Sequence, residues 1–167
     1  LWKVCPARVD INRHEIVMDN DIVLLRTIPA IEQFLKEKNK TLILEEPVRF
    51  YGRYEHLISQ KNRFNSGLMG LPPGYDFGRH ILENWEQFGK LKYLSQADEQ
   101  GLLMYTLNEE PNLRIKKSDL KELLAKDSPD FTGEDCGLPF VQANRVNFGH
   151  RSWIHYQEAV KHAVTFI

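Results

Sequence analysis

The chain has 167 residues, 42% of them hydrophobic and 27% charged, an ordinary globular composition with enough length for one domain and its own core. Its 22 basic and 23 acidic residues leave a formal net charge of −1, so the charge balance points neither to nucleic acid nor to an anionic membrane. No apolar run approaches the roughly 18 residues of a membrane span, and two cysteines, Cys5 and Cys136, make no disulfide framework.

The opening Leu1-Trp2-Lys3-Val4-Cys5 has too short an apolar run for a signal peptide and lacks a cleavage pattern. The sequence lacks an initiator Met and both ends are apolar, Thr165-Phe166-Ile167 closing it, so the expectation is a fragment with structure missing upstream. The few cysteines are compatible with a reducing compartment, and a cytoplasmic location is expected.

In chain order, residues 1–13 are mixed, with Pro6 as a bend. Ile16 to Met18 and Ile22 to Leu25 each read as a buried strand, and Asp19-Asn20-Asp21 interrupts them as a polar turn. Thr27-Ile28-Pro29 starts a helix with proline in its first turn, and Ile31, Phe34 and Leu35 carry helical spacing to about Lys38. Thr41 to Leu44 is a short strand. Residues 45–63 are irregular and rich in aromatics and basic groups: Arg49, Phe50, Tyr51, Arg53, Tyr54, His56. Phe64 to Leu71 is a strand closed by Pro72-Pro73-Gly74. Asp76 caps a helix whose apolar stripe is Ile81, Leu82, Trp85 and Phe88.

A third helix runs from Asp98 to about Leu107 with acidic residues in its first turn, and 108–116 reads as a connector. Leu120, Leu123 and Leu124 give Ser118 to Lys126 the spacing of a short helix. Asp127 to Pro139 is a loop, Phe140 to Phe148 alternates as a strand, and a last helix from Ser152 places Trp153, Tyr156, Val160 and Val164 on one side. Strands alternating with helices imply an α/β sheet, whose ligands gather beyond the carboxyl ends of its strands. The Asp19-Asn20-Asp21 turn follows a strand and belongs at that edge.

Four polar segments carry the chemistry. Carboxylates between apolar strands need a partner, and Asp19 and Asp21 offer hard oxygen ligands to Mg²⁺ or Mn²⁺. The plain structural alternative is a tight turn whose carboxylates cap backbone N–H groups. Asn65-Ser66-Gly67 begins a strand. Its Asn and Ser side chains are suited to sugar hydroxyls and its glycine to close backbone approach, or the three simply turn the chain into the strand. Asp98-Glu99-Gln100 opens a helix, where carboxylates cap and complement the dipole; the functional alternative has Asp98 and Gln100 hold a hydroxyl-rich substrate. In Asn147-Phe148-Gly149-His150-Arg151-Ser152-Trp153, His150 is a candidate metal ligand and Arg151 a bidentate phosphate partner, against a capped loop with a surface histidine.

Taken in order, these segments resemble the GT-A class of nucleotide-sugar glycosyltransferases, and within it the retaining glycogenin- and galactosyltransferase-like family. Asp19-Asn20-Asp21 is similar to that family's DxD motif, Asn65-Ser66-Gly67 to its Asn-Ala-Gly segment, Asp98-Glu99-Gln100 to its Asp-Gln helix start. Phe148 to Trp153 is similar to its C-terminal His-Phe-x-Gly…Lys-Pro-Trp pattern. Here Ser66 replaces Ala, Glu99 separates Asp98 from Gln100, His150 follows Gly149 instead of preceding it, and Lys-Pro is absent.

The resemblance implies a mixed, mostly parallel open sheet flanked by helices, residues 1–167 being the C-terminal portion of a single GT-A-like domain. It implies transfer of a sugar from a nucleoside-diphosphate donor, a UDP-sugar, to an acceptor hydroxyl on a glycan, lipid or protein. Mn²⁺ or Mg²⁺ would sit on Asp19, Asp21 and His150. Asn65, Asp98 and Gln100 would be catalytic, with the last two sharing one family role between them. Arg8, Lys3, Asn20, Ser66, Gly67, Gly149 and Arg151 would hold the donor. Two rival readings of the residues are a metal-dependent phosphoester hydrolase on the same Asp19 and Asp21, and a non-catalytic sugar-nucleotide or glycan-binding domain using the aromatic loop 50–56 and Trp85.

Overall fold

The computed structural model describes residues 8–19, 22–24, 27–46, 51–59, 63–87, 95–108, 111–122 and 140–142. In chain order the elements are β1 (Glu15–Met18), β2 (Ile22–Leu24), α1 (Pro29–Phe34), β3 (Thr41–Glu45), a 3₁₀ helix (Gly52–Leu57), β4 (Phe64–Leu71), α2 (Phe77–Gln87), α3 (Gln96–Asn108), β5 (Asn112–Ile115), a 3₁₀ turn (Lys117–Asp119), β6 (Leu120–Glu122) and β7 (Phe140–Gln142). They fall into two compact units, one built from the described parts of Leu1–Val17 and Gln33–Ile115, the other from those of Met18–Glu32 and Lys116–Ile167. Among the described residues no helix is long and apolar enough to cross a membrane.

The first unit is α/β, with a four-stranded sheet of order β1-β4-β3-β5. β3 pairs antiparallel with β4 and parallel with β5, so the sheet is mixed, and parallel pairing does not dominate its described registers. The connections explain this. β4 follows β3 through a stretch whose described element is one short 3₁₀ helix and returns antiparallel. β5 is reached through α2 and α3, the long helical crossover that a parallel neighbour requires. Successive residues Leu42, Ile43 and Leu44 are all fully buried, which marks β3 as a strand covered on both faces.

Around β3 and β4 the core gathers Phe64, Met69 and Leu71 with Phe77 and Ile81 of α2 and Leu102, Leu103, Met104 and Leu107 of α3. Gly70 lets the layers meet: a Cβ there would stand 2.7 Å from Leu42 Cβ and 2.8 Å from Phe34 Cζ. His14 pins β1 to the chain after α1, its Nε2 2.5 Å from the Glu37 carbonyl and its ring edge-on to Phe34.

Helix caps follow the sequence closely. Ile28 accepts from the amides of Ile31 and Glu32 at 3.0 and 3.1 Å, and Pro29 occupies the first turn, where its missing N–H costs nothing. α1 ends at Phe34, a turn earlier than the Lys38 expected, and leaves Leu35 53% exposed. Asp76 caps α2, its Oδ1 accepting from the Arg79 amide at 3.1 Å. Leu82, expected on the apolar stripe, is 61% exposed; Asn84 is buried and donates to Thr106 Oγ1 at 3.1 Å.

Two expected elements are replaced. The connector 108–116 holds β5, paired from Thr41↔Asn112 to Leu44↔Ile115. Of the helix expected at Ser118–Lys126, the described residues to Glu122 form the end of a 3₁₀ turn and β6, because pairing with β7 outweighs the leucine spacing. In the second unit β2, β7 and β6 form a three-stranded sheet in that order, β2–β7 antiparallel and β6–β7 parallel. The expected last helix, the loop 127–139 and Phe88 lie outside the described residues.

Candidate functional site

The Asn65-Ser66-Gly67 segment is a bulge. One step along β3, from Ile43 to Leu44, matches the step from Met69 to Asn65 on β4, so Ser66, Gly67 and Leu68 have no partner on β3. A strand that shortens its pairing in this way must satisfy the freed amides otherwise. Asn65 does so: its Oδ1 accepts from the Gly67 amide at 2.7 Å. The structural task of Asn65 therefore uses only the oxygen of its side chain. Its Nδ2 is buried in a residue 3% exposed and, among the described residues, meets no acceptor.

Gln100 reaches the same segment from α3. Its Oε1 lies 3.4 Å from Ser66 Oγ, a long hydrogen bond. Its Nε2 is also buried and, among the described residues, without an acceptor. Two buried amide donors, at the β4 bulge and near the start of α3, thus lack an acceptor among the described residues. Each such group costs about 1–3 kcal/mol of desolvation when left unsatisfied and so calls for a partner such as a water or a ligand.

Asp98 lies two residues earlier on α3 and is arranged differently. Ser95 is the N-cap of α3, its Oγ accepting from the Asp98 amide at 3.2 Å and donating to Asp98 Oδ2 at 3.1 Å. The other carboxylate oxygen, Oδ1, accepts from the Arg53 amide at 2.9 Å and so ties the 3₁₀ helix Gly52–Leu57 to α3. Ser95-Gln96-Ala97-Asp98 is a capping signal that places the helix start before Asp98.

The 3₁₀ helix is anchored by aromatic side chains. Tyr51 is fully buried and donates its hydroxyl to the Phe64 carbonyl at 3.0 Å, with Arg63 stacked over its ring at 5.3 Å. Burial pushes the Tyr51 phenol up to about 12, and the neighbouring Arg63 charge opposes that rise. Arg63 is ion-paired with Glu55, whose other oxygen accepts from the Tyr51 amide at 2.9 Å. Tyr54 is 2% exposed, and burial, with a smaller contribution from Asp98, raises its phenol above the ordinary range. Tyr51 and Tyr54 are core residues and themselves offer no face for glycan stacking, and Trp85 packs partly buried against the same core.

Arg8 serves the fold. Its guanidinium is 2.9 Å from Glu15 Oε2 and donates to the carbonyls of Pro72, Tyr75 and Arg13 at 3.2, 2.8 and 2.6 Å. A cleft of about 190 Å³ lies beside it, lined by Lys38, Asn39, Thr41 and the Pro72–Tyr75 turn. It is smaller than ordinary ligand pockets, about 300–1,000 Å³, and no described residue of the polar segments lines it.

In the second unit the Ile22 amide donates to the Asp19 carbonyl at 3.0 Å, the i to i+3 bond of a tight turn. The turn is thus closed by main chain. Asn20, Asp21, Lys3, Gly149, His150 and Arg151 lie outside the described residues. Among the described residues no three His, Cys, Asp or Glu side chains gather as a metal-holding group.

No protein-family model matches the chain, and no curated protein matches it at a significant level.

Proposed function

We propose that this protein moves a sugar from a nucleoside-diphosphate donor, a UDP-sugar, to an acceptor hydroxyl, with Mn²⁺ or Mg²⁺ at the diphosphate. The observation that carries the reading is the pair of buried amide donors without an acceptor among the described residues, Asn65 Nδ2 and Gln100 Nε2, at a bulged strand and a helix start. Their chemistry suits a sugar: hydroxyl oxygens accept from them, and a fixed geometry holds the anomeric carbon for attack. The bond between that carbon and the diphosphate oxygen breaks with its electron pair on the oxygen, a bond to the acceptor oxygen forms, and the acceptor's proton passes to the departing diphosphate or to solvent.

The donor set at the turn fits the metal. Asp19 and Asp21, one residue apart in the sequence, would supply two hard carboxylate ligands. The ion would neutralise charge on the departing diphosphate. Asn65 and Gln100 orient hydroxyls, Ser66 lies within reach of Gln100, and the Gly67 amide holds the Asn65 side chain in place. His150 is the proposed third ligand, and Arg151, with the Gly149 backbone, the phosphate partner.

Titration of the chain with UDP, with and without Mn²⁺, tests this. Binding that requires the metal, and that Asp19→Ala and Asp21→Ala each abolish, is the expected result. Equal binding by both variants would sink the metal seat. Phosphate release from simple phosphoesters without sugar transfer would favour a hydrolase on the same carboxylates.

A further inference from the structure

We propose that Asp98 is a positioning residue: it clamps the 3₁₀ helix Gly52–Leu57 onto the first turn of α3 and thereby fixes the Gln100 amide against the donor sugar. The inference rests on the transfer reaction proposed above and deepens it, because the sequence leaves Asp98 and Gln100 as equal candidates for one role.

The two side chains are held in opposite ways. Asp98 is 8% exposed and both its carboxylate oxygens are bonded, Oδ1 to the Arg53 amide at 2.9 Å and Oδ2 to Ser95 Oγ at 3.1 Å. A sugar hydroxyl would have to displace one of these bonds. Gln100 keeps an amide donor without an acceptor among the described residues.

The clamp is also shaped by two glycines. Gly52 has φ +55, in the left-handed region, and a Cβ on it would collide with Asp98 Oδ1. A Cβ on Gly101 would collide with the Tyr51 carbonyl and stand 2.7 Å from Tyr54 Cβ. Asp98 and Gly101 are three residues apart and share the helix face that carries the 3₁₀ helix. Gln100, about 100° round from Gly101, faces the β4 bulge through Ser66. Seating one face of the turn against the 3₁₀ helix therefore sets the rotation of the other.

The experiment is a titration of the full chain with UDP and with UDP-glucose in Mn²⁺, for the unaltered protein, Asp98→Ala, Asp98→Asn and Gly101→Ala. Thermal unfolding establishes that each variant is folded at the titration temperature. Affinity for UDP is expected to stay within about twofold throughout. The ratio of UDP-glucose to UDP affinity is expected to fall about tenfold in Asp98→Ala and Gly101→Ala, the loss of one well-placed bond. Asp98→Asn, which keeps an oxygen for the Arg53 amide, is expected to hold the ratio.

A ratio that falls as far in Asp98→Asn as in Asp98→Ala would show that the carboxylate itself meets the ligand and would overturn the proposal. So would a ratio unchanged in Asp98→Ala and Gly101→Ala, or UDP affinity that falls in parallel with UDP-glucose affinity. If the unaltered chain binds neither compound, the transfer reading fails and the role at the sugar fails with it. Hydrogen exchange at the Arg53 amide, faster in Asp98→Ala but not in Asp98→Asn, then shows whether the clamp itself exists.

Discussion

α2 and α3 pack against each other and are built by opposite rules. α2 is an amphipathic surface helix: Phe77 and Ile81 face the core, Leu82 is exposed, and its acidic cap Asp76 sits in solvent. In α3 leucines and polar groups alike are inside, with Asp98, Glu99, Gln100 and Thr106 all buried. Where such groups are paired, as Asn84 of α2 with Thr106, they specify how the helices fit. Where one is not, as at Gln100, the fold carries a cost that packing alone does not explain. Buried polarity thus has two meanings here, and pairing separates them.

The largest test of the contrast is truncation. Leu103→Ala in α3 is expected to lose about 2–5 kcal/mol through cavity formation, whereas Leu82→Ala in α2 stays within about 0.5 kcal/mol; urea unfolding measures both. Similar losses would mean the two helices are buried alike.

The next effect is a pH dependence beside α3. The Tyr51 phenol is raised to about 12 in the folded chain and stands near 10 when unfolded. Between these values the unfolded state releases a proton that the folded state keeps. Stability from this group is therefore complete below pH 10 and declines towards pH 12, by about 2–3 kcal/mol. Burial moves Tyr54 in the same direction. Tyr51→Phe is expected to flatten the alkaline slope of unfolding free energy, and an unchanged slope would remove Tyr51 as its cause.

The caps come third. Asp98→Ala is expected to cost about 1.5–3 kcal/mol, because bonds to a buried carboxylate are lost, and Asp76→Ala about 1 kcal/mol, the ordinary worth of an exposed N-cap. Equal losses by chemical denaturation would place both acids in one class. The smallest pair is the most discriminating. Asn84→Leu removes the bond that Thr106 Oγ1 accepts, leaving only the one it donates to the Leu102 carbonyl, and should destabilise by about 1 kcal/mol, whereas Gln100→Leu removes a donor without an acceptor among the described residues, along with the long Ser66 bond, and should be neutral or stabilising by up to about 1 kcal/mol. If Gln100→Leu destabilises as much as Asn84→Leu, its amide is a structural group.

Much of this was legible in the sequence. β4 occupies the expected Phe64–Leu71, because a long apolar run closed by Pro72-Pro73-Gly74 has one consistent reading. The polar character of Ser66 and Gln100 is plain in the sequence, and their contact is not. Their meeting depends on α3 crossing β4, which no local pattern encodes. β5 escaped because Asn112-Leu113-Arg114-Ile115 is a four-residue edge strand with only two apolar positions. Leu120 to Glu122 read as helix because spacing at i, i+3 and i+4 is a helical signal, and strand pairing with β7 overrode it. Leu82 was assigned inward by the same periodicity. Asn84 took an inward position instead, which required knowing that Thr106 was opposite.

The parallel pairing of β3 with β5 also sets an order of events as the chain emerges during synthesis. Thr41 meets Asn112 across β4, α2 and α3, so β5 closes the sheet only after all of those have left the ribosome. Until then the Leu42-Ile43-Leu44 strand has one open edge, the kind of surface on which nascent chains aggregate. Contacts so distant in sequence are slow to form. The last strand of the first unit, short and weakly apolar, is the step that ends its exposure.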